Sequence, residues 1–231
     1  MRAFEAGFRA VMVCSVLAAA GRCKSVHPGI MAGVPITQYF ETVAAGGLHG
    51  SAEYSAATRR YTVGLSLEVR LTGRLGFEVD ALYHRMGYVA IVASFDSATG
   101  RFQNSAIDVK GNSWDFPLLV KRRFGRVVRP YVLGGAVMRY VGPVRGRGQQ
   151  TVGSLVDNSR NTTVLDTSDP SELRKRFYQG VTVGAGVETP VGRLRVIPEV
   201  RWAHWTANIS GEGGLLRFAP NQVEVYVGVR F

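Results

Sequence analysis

The chain has 231 residues, enough for one barrel or sandwich domain or for two small domains, and no change in composition divides it. Its 28 Gly, 9 Pro and 46% hydrophobic residues are typical of a β protein with many turns. Beyond residue 21 no apolar run approaches the roughly 20 residues that a membrane-spanning helix requires, which excludes a helical membrane bundle. The net charge of +11 comes from Arg and Lys that mostly occur singly beside Asp or Glu, so we predict no nucleic-acid partner.

Residues 1–21 have the organisation of a secretory signal peptide. Arg2 and Arg9 form a basic segment, an apolar stretch follows, and Ala18–Ala20 offers small residues for cleavage. A buried N-terminal helix or a mis-chosen start codon is the alternative interpretation. After cleavage Cys23 is the single cysteine, so no intramolecular disulfide is predicted.

Residues 22–29 are interpreted as a lead-in, and residues 30–231 resolve into segments whose side chains alternate with period two, as in β-strands. The predicted strands are Ile30–Tyr39, Tyr61–Leu71, Leu75–His84, Trp114–Phe124, Pro130–Val141, Phe177–Thr189, Arg193–Thr206 and Phe218–Phe231. Three hairpins are predicted, each made of two of these strands joined by a short turn, at Thr72–Arg74, Gly125–Arg129 and Pro190–Gly192.

Long connections, predicted as loops near residues 39–57, 89–110, 142–175 and 207–217, alternate strictly with the short turns. This rhythm places the short turns at one rim of an up-and-down barrel and the long loops at the other. The sequence therefore predicts an all-β fold, an eight-stranded antiparallel up-and-down transmembrane β-barrel.

The last strand shows the two faces most clearly. Its apolar face holds Val223, Val225, Val227, Val229 and Phe231. A membrane barrel turns such a face to lipid and fills its lumen with charges. The predicted lumen network comprises Glu68, Arg70, Glu78, Asp80, Lys121, Arg123, Glu188, Glu199, Arg201, Glu224 and Arg230. Aromatic residues predicted for the interfacial girdles are Tyr61, Tyr83, Tyr88, Trp114, Phe124, Phe177, Trp202 and Phe231. A soluble calycin-like barrel that binds a hydrophobic ligand is the alternative, and it requires the valines to point inward.

Residues Tyr61–Tyr83, Trp114–Leu119 with Arg129–Tyr131, and the closing strand resemble the small eight-stranded outer-membrane β-barrel family of the OmpA/OmpX kind. The resemblance covers about residues 30–231. It implies a monomer in the outer membrane of a Gram-negative bacterium, reached after signal-peptide cleavage and contacting lipid and lipopolysaccharide. It also implies that an assembly machinery recognises the closing strand. A structural, adhesin or narrow-channel role is expected, without a cofactor, because eight strands leave no room for a wide pore.

An enzymatic alternative rests on His204 and Thr206, which share a face at the end of the seventh predicted strand. They faintly resemble the His-x-Ser-Asn neighbourhood of outer-membrane lipid A deacylases, with Glu212 or Glu224 as the group that would orient the histidine. Because Thr replaces Ser and no acid is clearly placed, we interpret the pair as interfacial residues and expect no enzyme.

Two further groups are candidate sites. His84 lies four residues from Asp80, but a lumen hydrogen-bond network is the expected role, and no metal site is predicted. The longest predicted loop begins and ends with basic residues, namely Arg145, Arg147, Arg174, Lys175 and Arg176. They are candidates for a lipopolysaccharide, host-surface or extracellular-matrix ligand, with a solvated loop as the alternative.

Overall fold

A computed structural model of the protein describes residues 25–168, 176–206 and 217–231. The predicted signal peptide at residues 1–21, Cys23, Glu212, Arg174 and Lys175 lie outside the described residues. The described part of the chain forms eleven β-strands: β1 (Ser25–Pro35), β2 (Val43–Gly47), β3 (Gly50–Ala56), β4 (Thr62–Arg70), β5 (Leu75–Asp96), β6 (Arg101–Arg123), β7 (Arg129–Ser154), β8 (Ser159–Ser168), β9 (Phe177–Val191), β10 (Leu194–Trp205) and β11 (Asn221–Arg230). No helix able to cross a membrane occurs among these residues.

Eight of the strands close into a ring. Antiparallel pairing runs from β1 through β4, β5, β6, β7, β9, β10 and β11. The ring is completed where β11 pairs with β1, with Arg230 opposite Gly29. Apart from this closure, each strand of the ring pairs with the next one along the chain, so the predicted eight-stranded up-and-down barrel is confirmed.

The three predicted short turns are present, at residues 71–74, 124–128 and 192–193. All lie at the end of the barrel where β1 begins and β11 ends, and we call this end the turn rim. Gly125 and Gly192 adopt φ of 77° and 62° there, a left-handed conformation that glycine enters without steric cost. These glycines allow the strands to reverse within a few residues.

The structure corrects the prediction of a loop near residues 89–110 and, as far as residue 168, that of the loop near residues 142–175. β5 and β6 continue as a paired hairpin to Asp96 and Arg101, and β7 pairs with β8 up to Ser154 and Ser159. These segments hold many β-branched and aromatic residues, which favour strands. Pairing also satisfies their backbone hydrogen bonds outside the barrel, so the connections are long hairpins with short tips.

The first long connection also contains strand structure. β2 and β3 form a hairpin, and β3 pairs with the outer half of β5, with Ala52 opposite Val92. β2, β3, β5, β6, β7 and β8 together form a six-stranded sheet that extends beyond the barrel, which we call the loop-side sheet. At one of its tips Asp96 accepts hydrogen bonds from Thr99 Oγ1 at 2.6 Å and from the Ala98 amide at 3.0 Å, which lower the pKa of Asp96.

The two faces of the barrel wall differ as the membrane interpretation requires. On β11, Val225 and Val227 are 43% and 50% exposed on the outside, whereas Glu224 and Tyr226 are buried inside. The soluble calycin-like alternative is therefore wrong, because its valines were required to point inward. Trp114 and Phe124 lie ten residues apart on the outer face, which is about 33 Å along a strand and about 25 Å across the membrane at a tilt of about 40°.

Candidate functional site

All eleven predicted lumen residues are buried inside the barrel. Ten of them form an ionic layer near the turn rim, which we call the turn-side ionic layer: Glu68, Arg70, Glu78, Asp80, Lys121, Arg123, Glu188, Glu199, Arg201 and Arg230. The eleventh, Glu224, belongs to a separate cluster nearer the opposite rim.

Arg230 is central to the ionic layer. Its guanidinium contacts Glu68 and Glu78 and lies 3.3 Å from the Glu188 carboxylate. Arg123 bridges the same Glu188, at 2.8 Å, and Glu68. Arg230 thereby forms ion pairs from the last strand to β4, β5 and β9. Two of its partners, Glu68 and Glu188, also bind Arg123 of β6.

Lys121 and Arg201 complete the layer across the lumen. The Lys121 ammonium lies 2.5 Å from Glu78, and Arg201 donates to Asp80 at 2.6 Å and to Glu78 at 3.0 Å. All eight ring strands contribute a side chain to this layer or to its immediate contacts, Tyr131 of β7 through its bond to Glu199 and Met31 of β1 through its sulfur, 3.7 Å from the Arg201 guanidinium. Removal of one member of such a buried set costs about 3–5 kcal/mol, because the layer then holds a buried charge that the remaining members do not balance.

A second set of polar groups lies farther from the turn rim, and we call it the loop-side polar cluster. Tyr39 hydrogen-bonds to His84 at 2.5 Å and donates to Glu224 at 2.7 Å, and Thr62 also contacts His84, at 2.9 Å. His84 Nε2 lies 3.2 Å from Asp115. His84 is thus held within a hydrogen-bond network and is not joined to Asp80, which pairs with Arg201.

Arg139 anchors the same cluster and is absent from the predicted site residues. It forms two 2.7 Å hydrogen bonds to the Asp115 carboxylate and one of 3.0 Å to Gln222. The Trp205 ring covers its guanidinium at 4.2 Å. No group of three His, Cys, Asp or Glu suited to a metal ion occurs among the described residues.

Beyond this cluster an apolar plug closes the lumen. Tyr39 and Phe40 come from the connection after β1 and stack inward, with the Phe40 and Phe218 ring centroids 4.6 Å apart. Tyr88 also packs here, 5.4 Å from Phe40, so its predicted position in the interfacial girdle is wrong. A void of about 30 Å³ between the plug and the ionic layer has room for only one or two water molecules.

The two catalytic candidates lie on the outer wall or above it. His204 stacks on Trp202 with ring centroids 5.8 Å apart, and its Nδ1 lies 2.9 Å from Asn221 Oδ1. The Thr206 hydroxyl donates to the Gln179 carbonyl at 3.0 Å. Glu224 points into the lumen, on the opposite side of the wall from His204, so the structure does not bring these two residues together.

A continuous row of aromatic side chains marks the loop-side edge of the apolar belt. Tyr83, Trp114, Tyr140 and Phe177 lie directly opposite one another on four neighbouring strands, β5, β6, β7 and β9. The ring centroids of Tyr83 and Trp114 are 5.3 Å apart, and those of Tyr140 and Phe177 are 5.1 Å apart. Such a row is typical of the level at which lipid headgroups begin.

Immediately above this row lies a group of cations that we call the outer-wall basic cluster: Arg85, Lys110, Arg145 and Arg147. They line an open groove of about 630 Å³ together with Asp108 and Asn112. Lys110 and Arg145 are directly opposite each other on β6 and β7. Asp108 contacts Lys110, and Arg147 lies 3.6 Å from Asp166, so Arg85 and Arg145 are the members of the cluster without an ion-pair partner among the described residues.

An irregularity in β7 creates this cluster. Ser113 pairs with Val141 but Gly111 pairs with Val144, so β7 contains one residue more than β6 at this point. Such a β-bulge reverses which side of the sheet successive residues face. Beyond it Arg145 and Arg147 are exposed on the outer wall, and Val144 is buried.

Of the predicted loop ligands, Arg145 and Arg147 therefore belong to a strand, and Arg176 directly precedes β9. Arg85 and Lys110 were not among the predicted site residues. In the sequence each is a single basic residue beside a predicted strand or loop, which does not indicate a binding site. Their proximity to Arg145 depends on pairing between distant segments.

No protein-family model matches the chain, and a search of curated proteins found no relative. Among solved structures, the chain is similar to Neisserial surface protein A, with 14% identity over 89% of this chain and 95% of that chain and a TM-score of 0.41. The attachment invasion locus protein Ail of Yersinia pestis gives 14% identity over 89% and 98%, with a TM-score of 0.40. The outer membrane protein OprG from Pseudomonas aeruginosa gives 13% over 89% and 94%, with a TM-score of 0.40. The closed ring of eight paired strands, rather than these scores, defines the fold.

Proposed function

We propose that the chain is a non-enzymatic, non-conducting outer-membrane β-barrel whose outer-wall basic cluster binds the phosphate groups of lipopolysaccharide in the outer leaflet. One observation carries the proposal: Lys110 and Arg145 are opposed on the lipid-facing wall, four residues along β6 beyond Trp114 of the aromatic row. Their height matches the level at which the phosphates of a glycolipid headgroup lie.

The opposition of Lys110 and Arg145 favours an anion at this place. Like charges directly opposite each other on neighbouring strands repel, and Asp108 offsets the charge of Lys110 alone, so the charge of Arg145 still lacks a counter-ion. Arg binds phosphate through two parallel hydrogen bonds, and Lys binds it as a compact charge. A phosphate held by both strands would remove the repulsion and fix the lipid against the wall.

The filled lumen supports a scaffold role rather than transport. The turn-side ionic layer and the apolar plug occupy the described interior from one rim to the other, and the void between them is about 30 Å³. The loop-side sheet then extends outside the membrane as the surface for contacts with other molecules. The apolar face of β11 ending at Phe231 is the segment we propose for recognition by the assembly machinery.

We assign no catalytic role to His204 and Thr206. Both side chains have hydrogen-bond partners that a nucleophile and its base would have to leave, Asn221 for the histidine and the Gln179 carbonyl for the threonine. Glu224, the described acid considered for orienting His204, lies inside the barrel.

Lipid retention by the purified barrel tests the proposal. The folded protein is placed in phosphatidylcholine nanodiscs containing a small fraction of lipopolysaccharide, and the bound lipid is counted by native mass spectrometry. Each surface cation contributes about 1 kcal/mol to binding an anionic membrane, so the double variant K110Q/R145Q should bind lipopolysaccharide about 25-fold more weakly.

The control R101Q/R160Q removes the same charge from the tips of the loop-side sheet, where both arginines are exposed. It should retain lipopolysaccharide like the wild type. Equal retention by K110Q/R145Q and the wild type would exclude the outer-wall basic cluster as the binding site.

A further inference from the structure

The turn rim is rich in arginine and poor in acidic residues. Its three turns with their flanking residues, 71–75, 122–130 and 189–195, contain seven arginines and no Asp or Glu. Arg123 among them points into the lumen and belongs to the turn-side ionic layer. The other six are Arg74, Arg122, Arg126, Arg129, Arg193 and Arg195, which we call the turn-rim arginines.

Five of the turn-rim arginines have no ion-pair partner among the described residues. Arg195 is the exception, since its guanidinium lies 3.6 Å from the buried Glu188. Arg129 Nε donates to the backbone carbonyl of Arg126 at 2.9 Å, and the Arg122 guanidinium lies over the Phe124 ring at 5.6 Å. These contacts place the side chains at the rim and leave their positive charge uncompensated.

Exposed apolar side chains lie between the arginines. Val127 and Val128 form the tip of one turn at 73% and 52% exposure, and Val191 and Phe124 are also exposed. A solvated protein surface seldom combines apolar tips with uncompensated arginines. The combination fits the boundary between lipid tails and charged headgroups, where apolar groups enter the membrane and arginines contact phosphates.

The arginines are also distributed around the whole rim. The three turns connect β4 to β5, β6 to β7 and β9 to β10, so they close three of the four strand pairs that meet at this rim, the fourth being β11 with β1. A single acidic protein docked on one side would contact one turn or two. A leaflet of lipids surrounds the barrel and reaches all three.

We infer that the turn-rim arginines bind the phosphate headgroups of anionic phospholipids in the periplasmic leaflet. The inference rests on the outer-membrane location proposed above, because short turns face the periplasm in such barrels. It does not depend on lipopolysaccharide binding at the outer-wall basic cluster, which lies beyond the opposite edge of the apolar belt. The barrel then engages phosphates in both leaflets.

Nanodiscs again provide the test, now without lipopolysaccharide. The folded full-length protein is placed in discs of phosphatidylcholine with one part in five phosphatidylglycerol, a fraction chosen to leave the zwitterionic lipid in excess. The ratio of the two lipids that stay bound to the protein is then measured by native mass spectrometry. The variant R74Q/R126Q/R193Q removes one arginine from each turn. Its enrichment of phosphatidylglycerol should fall about fivefold for each arginine removed, and wild-type enrichment should weaken with added salt.

The matched control is R60Q/R101Q/R160Q, which removes three exposed arginines on the loop side of the barrel. It should keep the wild-type enrichment. Equal loss in both variants would show an effect of net charge alone, and unchanged enrichment in R74Q/R126Q/R193Q would remove the turn rim as the site; either result overturns the inference.

Two further measurements separate the possible causes. Competition by soluble glycerol phosphate at the concentration that displaces the lipid from wild-type protein would indicate a site for free phosphate, and would overturn the assignment to lipid. The heat-modifiable gel shift of each variant reports folding. Lipopolysaccharide retention by the same variants separates failure at this rim from failure of the outer-wall basic cluster.

Discussion

The two ends of the lumen are closed by different physical means. Near the turn rim, ten charged side chains neutralise one another at contact distance, whereas the loop side is closed by aromatic rings such as Phe40 and Phe218 packed over a hydrogen-bonded cluster. The ionic layer is built entirely from regular strands, and the plug depends on segments that fold back from the connections. The same barrel is therefore closed by charge pairing between its strands at one end and by apolar packing of its connecting segments at the other.

The largest effect is expected from breaking the ionic layer. Arg230→Met leaves Glu68, Glu78 and Glu188 without their shared partner, so the free energy of unfolding in detergent should fall by about 4 kcal/mol. Urea titration followed by the gel shift measures it. Arg122→Met, on the outer wall at the same end, is the control and should change stability by less than about 1 kcal/mol. Equal values for the two variants would mean that the ionic layer adds no more than an exposed charge.

A smaller effect is expected from opening the plug. Phe40→Ala removes a buried ring that packs on Phe218 and Tyr88, and should lower the free energy of unfolding by about 3 kcal/mol. In planar bilayers this variant should still show no conductance steps, because the turn-side ionic layer remains in place. Phe95→Ala, at a partly exposed site on the loop-side sheet, is the control. Conductance in Phe40→Ala would show that the plug alone seals the lumen.

The smallest effect is expected outside the lumen. His204→Ala removes a ring that stacks on Trp202 and bonds to Asn221 at the outer wall, so stability should change by less than about 1 kcal/mol. The acyl-chain pattern of lipid A in cells that express the variant should equal that of cells with the wild type, measured by mass spectrometry. A loss of deacylated lipid A would instead restore the enzymatic alternative for His204 and Thr206.

Strand alternation made much of the fold predictable. From Val223 to Phe231 every second residue is Val or Phe and the others include Glu224 and Arg230, so the face that enters the lumen could be identified from the sequence. The inner face of β7 gives a weaker pattern. Leu133, Gly135 and Val137 precede Arg139 on that face, so its charged residue does not stand out.

Features that depend on pairing between distant segments were missed. Tyr39 was placed at the end of a strand, yet β1 ends at Pro35 and the chain then turns into the lumen to reach His84. The extent of the loop-side sheet was missed because polar residues such as Asn104 and Gln149 interrupt its apolar pattern. The outer-wall basic cluster depends on the register of β6 against β7, which no local pattern specifies.

The additional residue in β7 decides which side of the wall the rest of that strand presents. Gly142 and Pro143 together face Asn112, so the alternation restarts out of phase, and Arg145 and Arg147 lie outside while Val144 and Gly146 lie inside. If the strand kept every residue and ran without this bulge, Val144 and Gly146 would face outward and the wall would be neutral there. Deletion of Gly142 would instead join the two halves of β7 in regular register and keep both arginines on the outer wall. The charge that this wall presents to lipid therefore depends on one unpaired residue as well as on the number of its arginines.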